Sequence, residues 1–354
     1  MGRKFLRPFG LLLTALALCV GALAQYGHAD SAVETAATAE RILIPGGQAI
    51  GVALKTQGVL VVAKGGGGNK TPLREGDVIL TAGGVSVCST AELSDCIAGM
   101  QGDMIDMRIL RGNREMTVSA PAPVDGADGK RRLGVWVRDS TAGVGTLSYV
   151  DPDTGAYGAL GHAIVDADTG STLTVQDGAL LRATVVGVTR GESGKAGELR
   201  GNFLKEGKQI GTLEQNGTYG IYGVLSSAAQ PSLYPLGLPV GVRSNVHTGP
   251  ASILSTVDGG EPQAYTVEII RCIRQDEPSP KGMVLRVTDE RLLARTGGIV
   301  QGMSGSPIIQ DGRIIGAVTH VCLDDSAQGY GMYIEWMLEQ SDRLSANHAE
   351  QTAA

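Results

Sequence analysis

Apolar positions along this chain come in short runs cut by glycine. Val59–Ala63, Met104–Leu110, Gly134–Arg138, Thr184–Val188, Tyr265–Ile273, Gly282–Val287 and Ile314–Val321 each read as a strand. Helical signals are few. Ser89-Thr90-Ala91-Glu92 reads as a helix start with Ser89 or Thr90 as cap, and Asp289–Arg295 and Ile334–Leu344 read as further helices. The N-terminus differs from everything after it. Positive charge in the first four residues precedes an apolar run from Phe9 to Ala24 that ends in Ala22-Leu23-Ala24. This is the pattern of a signal peptide or signal anchor over 1–24. The run is about 16 residues long, short of the ~20 that a full membrane span needs.

Punctuation divides the remainder. Residues 25–40 are rich in Ala, Thr and Glu and read as a tether. Residues 41–119 form a first folded unit. Residues 120–130, with Ala120-Pro121-Ala122-Pro123 and Asp125-Gly126-Ala127-Asp128-Gly129, read as a linker. Residues 131–344 form a larger unit whose many strands and short turns suit a closed β-barrel, and 345–354 read as a loose tail.

The first unit runs through a glycine loop into a strand, a second strand, Leu73-Arg74-Glu75-Gly76-Asp77-Val78-Ile79-Leu80, a Gly83-Gly84 turn, a helix and another strand. That order resembles a PDZ domain, an α+β fold built on a small, partly open barrel. The resemblance implies binding of an extended peptide, with a terminal carboxylate held by backbone N–H groups. The matching loop here is Gly47, Gln48, Ala49, Ile50 and Gly51, although its centre departs from the usual G-L-G-F.

Composition narrows the function. The chain has 354 residues, 52 of them glycine, with 3 phenylalanines and 2 tryptophans, which fits strands and tight turns in two or three domains. A net charge of −6 without a basic patch argues against nucleic acid. Cys19 follows Leu18, which argues against a lipoprotein. Cys88, Cys96, Cys272 and Cys322 form no CxxC pair, which argues against zinc. Cys88 and Cys96 are close enough for a disulfide and equally readable as buried thiols.

The chemistry centres on Gly302-Met303-Ser304-Gly305-Ser306-Pro307. A serine hydroxyl becomes a nucleophile when a base takes its proton and N–H groups receive the oxyanion. Small residues around Ser304 allow such a turn, which resembles the nucleophile turn of chymotrypsin-like peptidases. The backbone N–H groups of Gly302 and Ser304 are the oxyanion donors by that analogy. Three of the five histidines are candidate bases: His162 in a glycine-rich turn ranks first, His320 in a strand second, and His247 lies in a polar loop. For the orienting carboxylate, Asp289, Asp166 and Asp168 stay open, and Asp289 also reads as a helix cap.

Gly161-His162, Thr296 through Gln310, Gly316 through Val321, Gly329-Tyr330-Gly331 and Ile334 through Leu338 together resemble the stage IV sporulation protein B family of serine peptidases. The resemblance implies a PDZ domain followed by a chymotrypsin-like double β-barrel, with His162, Asp289 and Ser304 as the catalytic set and no metal or organic cofactor. It implies export across the forespore membrane into the intermembrane space, self-cleavage, and cleavage of a membrane-bound regulator of an intramembrane protease that activates the late mother-cell sigma factor. The PDZ ligand could be the chain itself. The rival readings are a non-catalytic PDZ adaptor with a dead peptidase fold and a PDZ-directed quality-control protease.

Overall fold

Three buried apolar clusters need three enclosures, and the chain builds them largely from strands that they share. The computed structural model describes residues 40–65, 71–112, 114–203, 209–226, 232–259 and 261–353. The targeting segment, nearly all of the expected tether and most of the Gly65–Gly68 loop lie outside them. In chain order the elements are β1 (Ile42–Pro45), β2 (Ala49–Lys64), β3 (Val78–Ala82), β4 (Val85–Ser86), α1 (Thr90–Gly99), β5 (Met104–Arg111), β6 (Arg114–Pro121), β7 (Val135–Val150) and β8 (Ala156–Ala159). Then come β9 (Val175–Arg182), β10 (Thr184–Thr189), β11 (Glu198–Asn202), β12 (Gln209–Thr212), β13 (Gln215–Gly217), β14 (Gly220–Val224) and β15 (Leu238–Pro239). The last are β16 (Gly249–Ser255), β17 (Gln263–Cys272), β18 (Met283–Val287), α2 (Glu290–Thr296), β19 (Pro307–Gln310), β20 (Arg313–Val321), β21 (Gln328–Tyr333) and α3 (Ile334–Ala353).

The mainly β class expected from the sequence is the class observed, with a PDZ-like unit and two barrels. The PDZ-like unit packs α1 on a sheet formed by the start of β7, the end of β2, and β3, β5 and β6. Val59, Val61, Ile79, Leu93, Ile97, Met107 and Ile109 fill it. The helix begins where a full capping box allows: Glu92 N–H donates to Ser89 Oγ at 3.2 Å, and Ser89 N–H donates to Glu92 Oε2 at 3.1 Å.

The first barrel runs β2, β7, β8, β14, β12, β9 and back to β2. Its joint between β14 and β12 is a bridge between Gly211 and Leu225, backed by Ser226 N–H to Ile210 O at 2.8 Å. Ile50, Val52, Leu54, Leu147, Tyr157 and Leu180 fill it. The second barrel closes in the order β16, β17, β18, β21, β20, β19 around Ile253, Ile269, Leu285, Ile308 and Val318.

The division expected at 120–130 is not where the sheets part. Asp125–Gly129 is a turn closed by Gly129 N–H to Asp125 O and by a bridge between Val124 and Arg131. It returns the chain into β7 instead of releasing it. The Pro, Gly and Asp composition signals turn chemistry, which serves a hairpin as well as a linker. The change of unit falls inside β2. Its residues Ala49–Thr56 pair with β7 and β9 in the first barrel, while Leu60–Lys64 pair with β7 in the PDZ-like sheet. Between them Gly58, at φ +89°, lets the strand bend, and Thr56 Oγ1 donates to Gly58 O at 2.7 Å. At the C-terminus the helix expected to end at Leu344 continues to Ala353 in place of a loose tail. The four cysteines among the described residues are free thiols, so Cys88 and Cys96 are not bridged.

Candidate active site

The seam between the barrels carries an apolar cleft of about 570 Å³. Ser304, His162 and His320 all line it, with Gly302, Leu160, Val144, Val300 and Leu323 among the other walls. Two of the three expected catalytic residues, Ser304 and His162, are therefore brought together.

The turn that carries Ser304 is built on backbone approach. Gly302 and Gly305 have φ of +94° and +98°, values that favour glycine. A side chain on Gly305 would fall on the carbonyl of Thr146 and the N–H of Leu160. Thr146 holds the turn from the first barrel: its N–H donates to Ser304 O at 3.1 Å and its hydroxyl to Gly302 O at 2.7 Å. From the second barrel, Gly305 N–H donates to Val318 O at 2.7 Å. Among the described residues nothing accepts the N–H of Gly302 or of Ser304, the two groups expected as oxyanion donors. The Ser304 hydroxyl donates to Thr319 O at 2.9 Å. Ser306 is fully buried, so of the two serines only Ser304 faces the cleft.

His162 reaches the cleft through a strained turn. Leu160, at φ +68°, and Gly161, at φ +70°, are both left-handed. A bulky residue in that region costs of order 1–3 kcal/mol and persists where its surroundings enforce it. Here Leu160 N–H is tied to Thr146 O at 3.2 Å. His162 Nδ1 lies 2.8 Å from Ala163 O, so Nδ1 carries the proton and Nε2 is the free basic nitrogen. The His320 ring stands 5.6 Å from that of His162, tilted by 43°. Burial, with His162 and Lys281 nearby, pushes the His320 imidazole below the usual histidine range.

The third expected residue is not brought to this pair. Asp289 is the N-cap of α2. Its Oδ1 accepts from Arg291 N–H at 3.0 Å, Leu292 N–H at 3.3 Å and Arg291 Nε at 3.1 Å. Its Oδ2 accepts from Arg291 Nη2 at 2.9 Å and Thr266 N–H at 3.3 Å. The Arg291 guanidinium first, and these N–H groups with it, hold the carboxyl down at about 2. Asp166 and Asp168 are not brought to the pair either, since both bind Arg138. His247 pairs with Asp311, with 2.9 Å between Nε2 and Oδ2, and is absent from the cleft lining.

The expected peptide loop is also corrected. Gly47 N–H donates to Leu147 O at 2.8 Å, and Thr256 Oγ1 donates to Gly47 O at 3.0 Å. Leu147 N–H donates to Gln48 O at 3.0 Å, and Ala49 pairs with Thr146 of β7. Ile50 and Gly51 pair with β7 on one side and β9 on the other. Among the described residues, neither edge of Ile50–Gly51 remains for a ligand strand. The open groove of the PDZ-like unit lies elsewhere, between α1 and the start of β7. It measures about 890 Å³ and is lined by Leu93, Ile97, Val124, Leu133, Val135 and Trp136. Among the described residues no strand pairs with the outer edge of Val135–Arg138, and Trp136 is 68% exposed. Its sequence signal was Leu133-Gly134-Val135, an apolar–Gly–apolar turn with Gly134 at φ +71°, which comes after the rest of the unit instead of before it.

A family model described as SpoIVB peptidase S55 matches residues 129–338, more than half of the 354-residue chain. No curated protein matches. Among solved structures the chain is similar to the Rv3671c protease of M. tuberculosis in its active form, at 18% identity over 56% of this chain and 73% of that one, with a TM-score of 0.32. It is also similar to the PDZ domain of the SdrC-like protein from Listeria monocytogenes, at 22% identity over 23% of this chain and 87% of that one, with a TM-score of 0.20. The family model carries the assignment.

Proposed function

The chain belongs to the SpoIVB peptidase S55 family and is a serine peptidase of sporulation, and we propose that Ser304 is its nucleophile and His162 its base. The observation that carries this reading is that both line one cleft beside two N–H groups that no described residue engages. The Ser304 hydroxyl leaves Thr319 O and gives its proton to His162 Nε2 while Oγ bonds to the peptide carbonyl carbon. The oxyanion is received by the N–H groups of Gly302 and Ser304. His162 returns the proton to the leaving amine as the C–N bond breaks, and water resolves the acyl-enzyme by the same route. None of these steps calls for a metal or organic cofactor.

Family membership supports the finer role as well. The enzyme is exported across the forespore membrane, held there or released by its N-terminal segment, and cleaves itself. It then cleaves a membrane-bound regulator of an intramembrane protease, which signals to the late mother-cell sigma factor. Nothing in the described residues is a helix long and apolar enough to span a membrane. The peptide partner docks in the α1–β7 groove, adding a strand to the outer edge of Val135–Arg138. A fluorophosphonate probe tests the core of the proposal. Wild-type protein labels at Ser304, and Ser304→Ala and His162→Ala do not. Labelling that persists in Ser304→Ala would sink it. Mass spectrometry of N-termini in wild type and Ser304→Ala reports self-cleavage and removal of the leader together.

A further inference from the structure

His162 stands on backbone outside the regular ladders. The segment from Leu160 to Thr174, between β8 and β9, belongs to no strand. Upstream of the histidine, Thr146 O pins Leu160 N–H. Downstream, Ala163 and Ile164 line the cleft beside His162, and their N–H and C=O groups need partners that no neighbouring strand provides. For Ile164 a single side chain serves both groups. Asn216 Oδ1 accepts from Ile164 N–H at 2.7 Å, and Asn216 Nδ2 donates to Ile164 O and to Leu173 O, each at 2.8 Å. Ile164 O also accepts from Leu173 N–H at 3.3 Å. An amide has two donors and an acceptor oxygen, and here all are spent on the backbone of this one segment. Strand pairing explains the reach. Asn216 of β13 lies opposite Ile221 of β14, and Ile221 lies opposite Ala159, which leads through Leu160 and Gly161 to His162. One peptide group then joins the amide to the imidazole. Ile164 N–H and Ala163 C=O belong to the same rigid plane. Its N–H end meets Asn216, and its C=O end meets His162 Nδ1 at 2.8 Å.

Resting on the assignment of Ser304 and His162 above, we infer that Asn216 is a positioning residue for the reaction: its carboxamide clamps the backbone of Ile164 and thereby sets where the His162 imidazole stands beside Ser304. It acts through the peptide that follows the base, a task separate from that of an orienting carboxylate. The remainder of the segment is held without it. Asp166, whose side chain is fully buried, accepts from Thr169 N–H at 2.9 Å and from Asp168 N–H at 3.1 Å, and it pairs with Arg138 of β7. Arg138 Nη2 also donates to Asp168 Oδ2 at 2.8 Å. Loss of the Asn216 amide therefore frees the backbone at the base while the turn at Asp166–Ser171 stays tied to β7. A misplacement of about 1 Å at a catalytic group can cost on the order of 10²-fold in rate. Aspartate has the shape of asparagine and still accepts from Ile164 N–H. It has no donor, however, and sets a negative charge against the carbonyl oxygens of Ile164 and Leu173.

Labelling kinetics separate positioning from folding. Full-length wild type, Asn216→Asp and Asn216→Ala are labelled with a fluorophosphonate over a range of probe concentrations, well below the melting temperature of each. This resolves kinact, the limiting rate, from KI, the probe concentration at half that rate. Both variants are expected to lose about 10- to 100-fold in kinact, with KI within about twofold of wild type. A role confined to folding would lower the melting temperature and leave kinact of the folded protein unchanged. A loss in kinact below about fivefold in Asn216→Asp overturns the inference, and so does a loss carried by KI alone. If Asn216→Ala does not fold, the isosteric Asn216→Asp decides. If neither folds, Asn216→Ser, whose short hydroxyl cannot span Ile164 and Leu173 together, is judged by the same threshold. Failure of wild type itself to label, or labelling of Ser304→Ala, would instead refute the assignment of Ser304.

Discussion

Two glycine-rich turns in this protein look alike in sequence and do opposite things. Gly46–Gly51 and Gly302–Gly305 both suggest N–H groups gathered to receive an anion. In the first, Gly46 is pressed against the carbonyl of Leu147 and Gly51 against the Phe203 ring, and the following residues are paired on both edges. In the second, Gly305 is pressed against Thr146, and the N–H groups of Gly302 and Ser304 remain unengaged among the described residues. Glycine marks a close backbone approach in both places. What differs is whether the approach consumes the donors or frees them, and that depends on a strand distant in sequence.

The comparison breaks most sharply at the nucleophile. Ser304→Ala is expected to lower peptide cleavage by at least about 10⁴-fold with the melting temperature unchanged, read by mass spectrometry of self-cleavage products and by thermal unfolding. Equal residual activity in both proteins would remove the second turn from the chemistry.

The next test exchanges damage between the turns. Gly305→Ala puts a methyl on the Thr146 carbonyl and is expected to cost about 10²- to 10³-fold in labelling rate, the loss expected for an oxyanion donor moved out of place. Gly51→Ala meets Phe203 at 2.6 Å and is expected to cost about 1–3 kcal/mol of stability, with the labelling rate per folded molecule preserved. A catalytic defect at Gly51 without loss of stability would restore a binding role to the first loop.

A smaller effect separates that loop from the groove that replaces it. Trp136→Ala should weaken a bound peptide by about tenfold in Kd, the scale of one exposed aromatic anchor, and leave cleavage of a short substrate unchanged. Calorimetric titration with peptide ligands reads this, and equal affinity in both proteins would move the ligand elsewhere.

The smallest expected effect is in acid. The carboxyl of Asp289 is held down at about 2, below its unfolded value of 3.8. Its stabilisation is therefore complete above about pH 4 and lost as pH falls toward 2. The melting temperature of Asp289→Asn should lie a few degrees below wild type at neutral pH and converge with it in acid. Parallel curves would mean that the carboxylate contributes nothing to folding.

Elements with local signatures were legible in the sequence. Ser89 and Glu92 announce α1, Asp289 announces α2, and the alternating and β-branched runs announce β5, β10, β17, β18 and β20. The tight turn around Ser304 was legible too, because such a turn needs its glycines within a few residues. What was hidden depends on pairing across long separations. Thr146 grips Gly302 from 156 residues away, and nothing in Gly145-Thr146-Leu147 marks it. The identity of β2 as a strand of two sheets was hidden for the same reason: a single apolar stretch cannot say that it changes partners at Gly58. Asp289 shows the converse. Its cap signature was local and held, while its placement relative to His162 depends on pairing that no local pattern records.

One strand, β7, borders both the groove and the cleft. Val135–Val137 line the first and Thr141–Gly145 the second. At about 3.3 Å per residue, the stretch from Trp136 to Gly145 spans roughly 30 Å. The same backbone edge is thus a ruler with an anchor at one end and a blade at the other. A protein held by its tail in the groove reaches Ser304 only if about nine or more extended residues separate that tail from the bond to be cut. Tether length would then select substrates before side chains do.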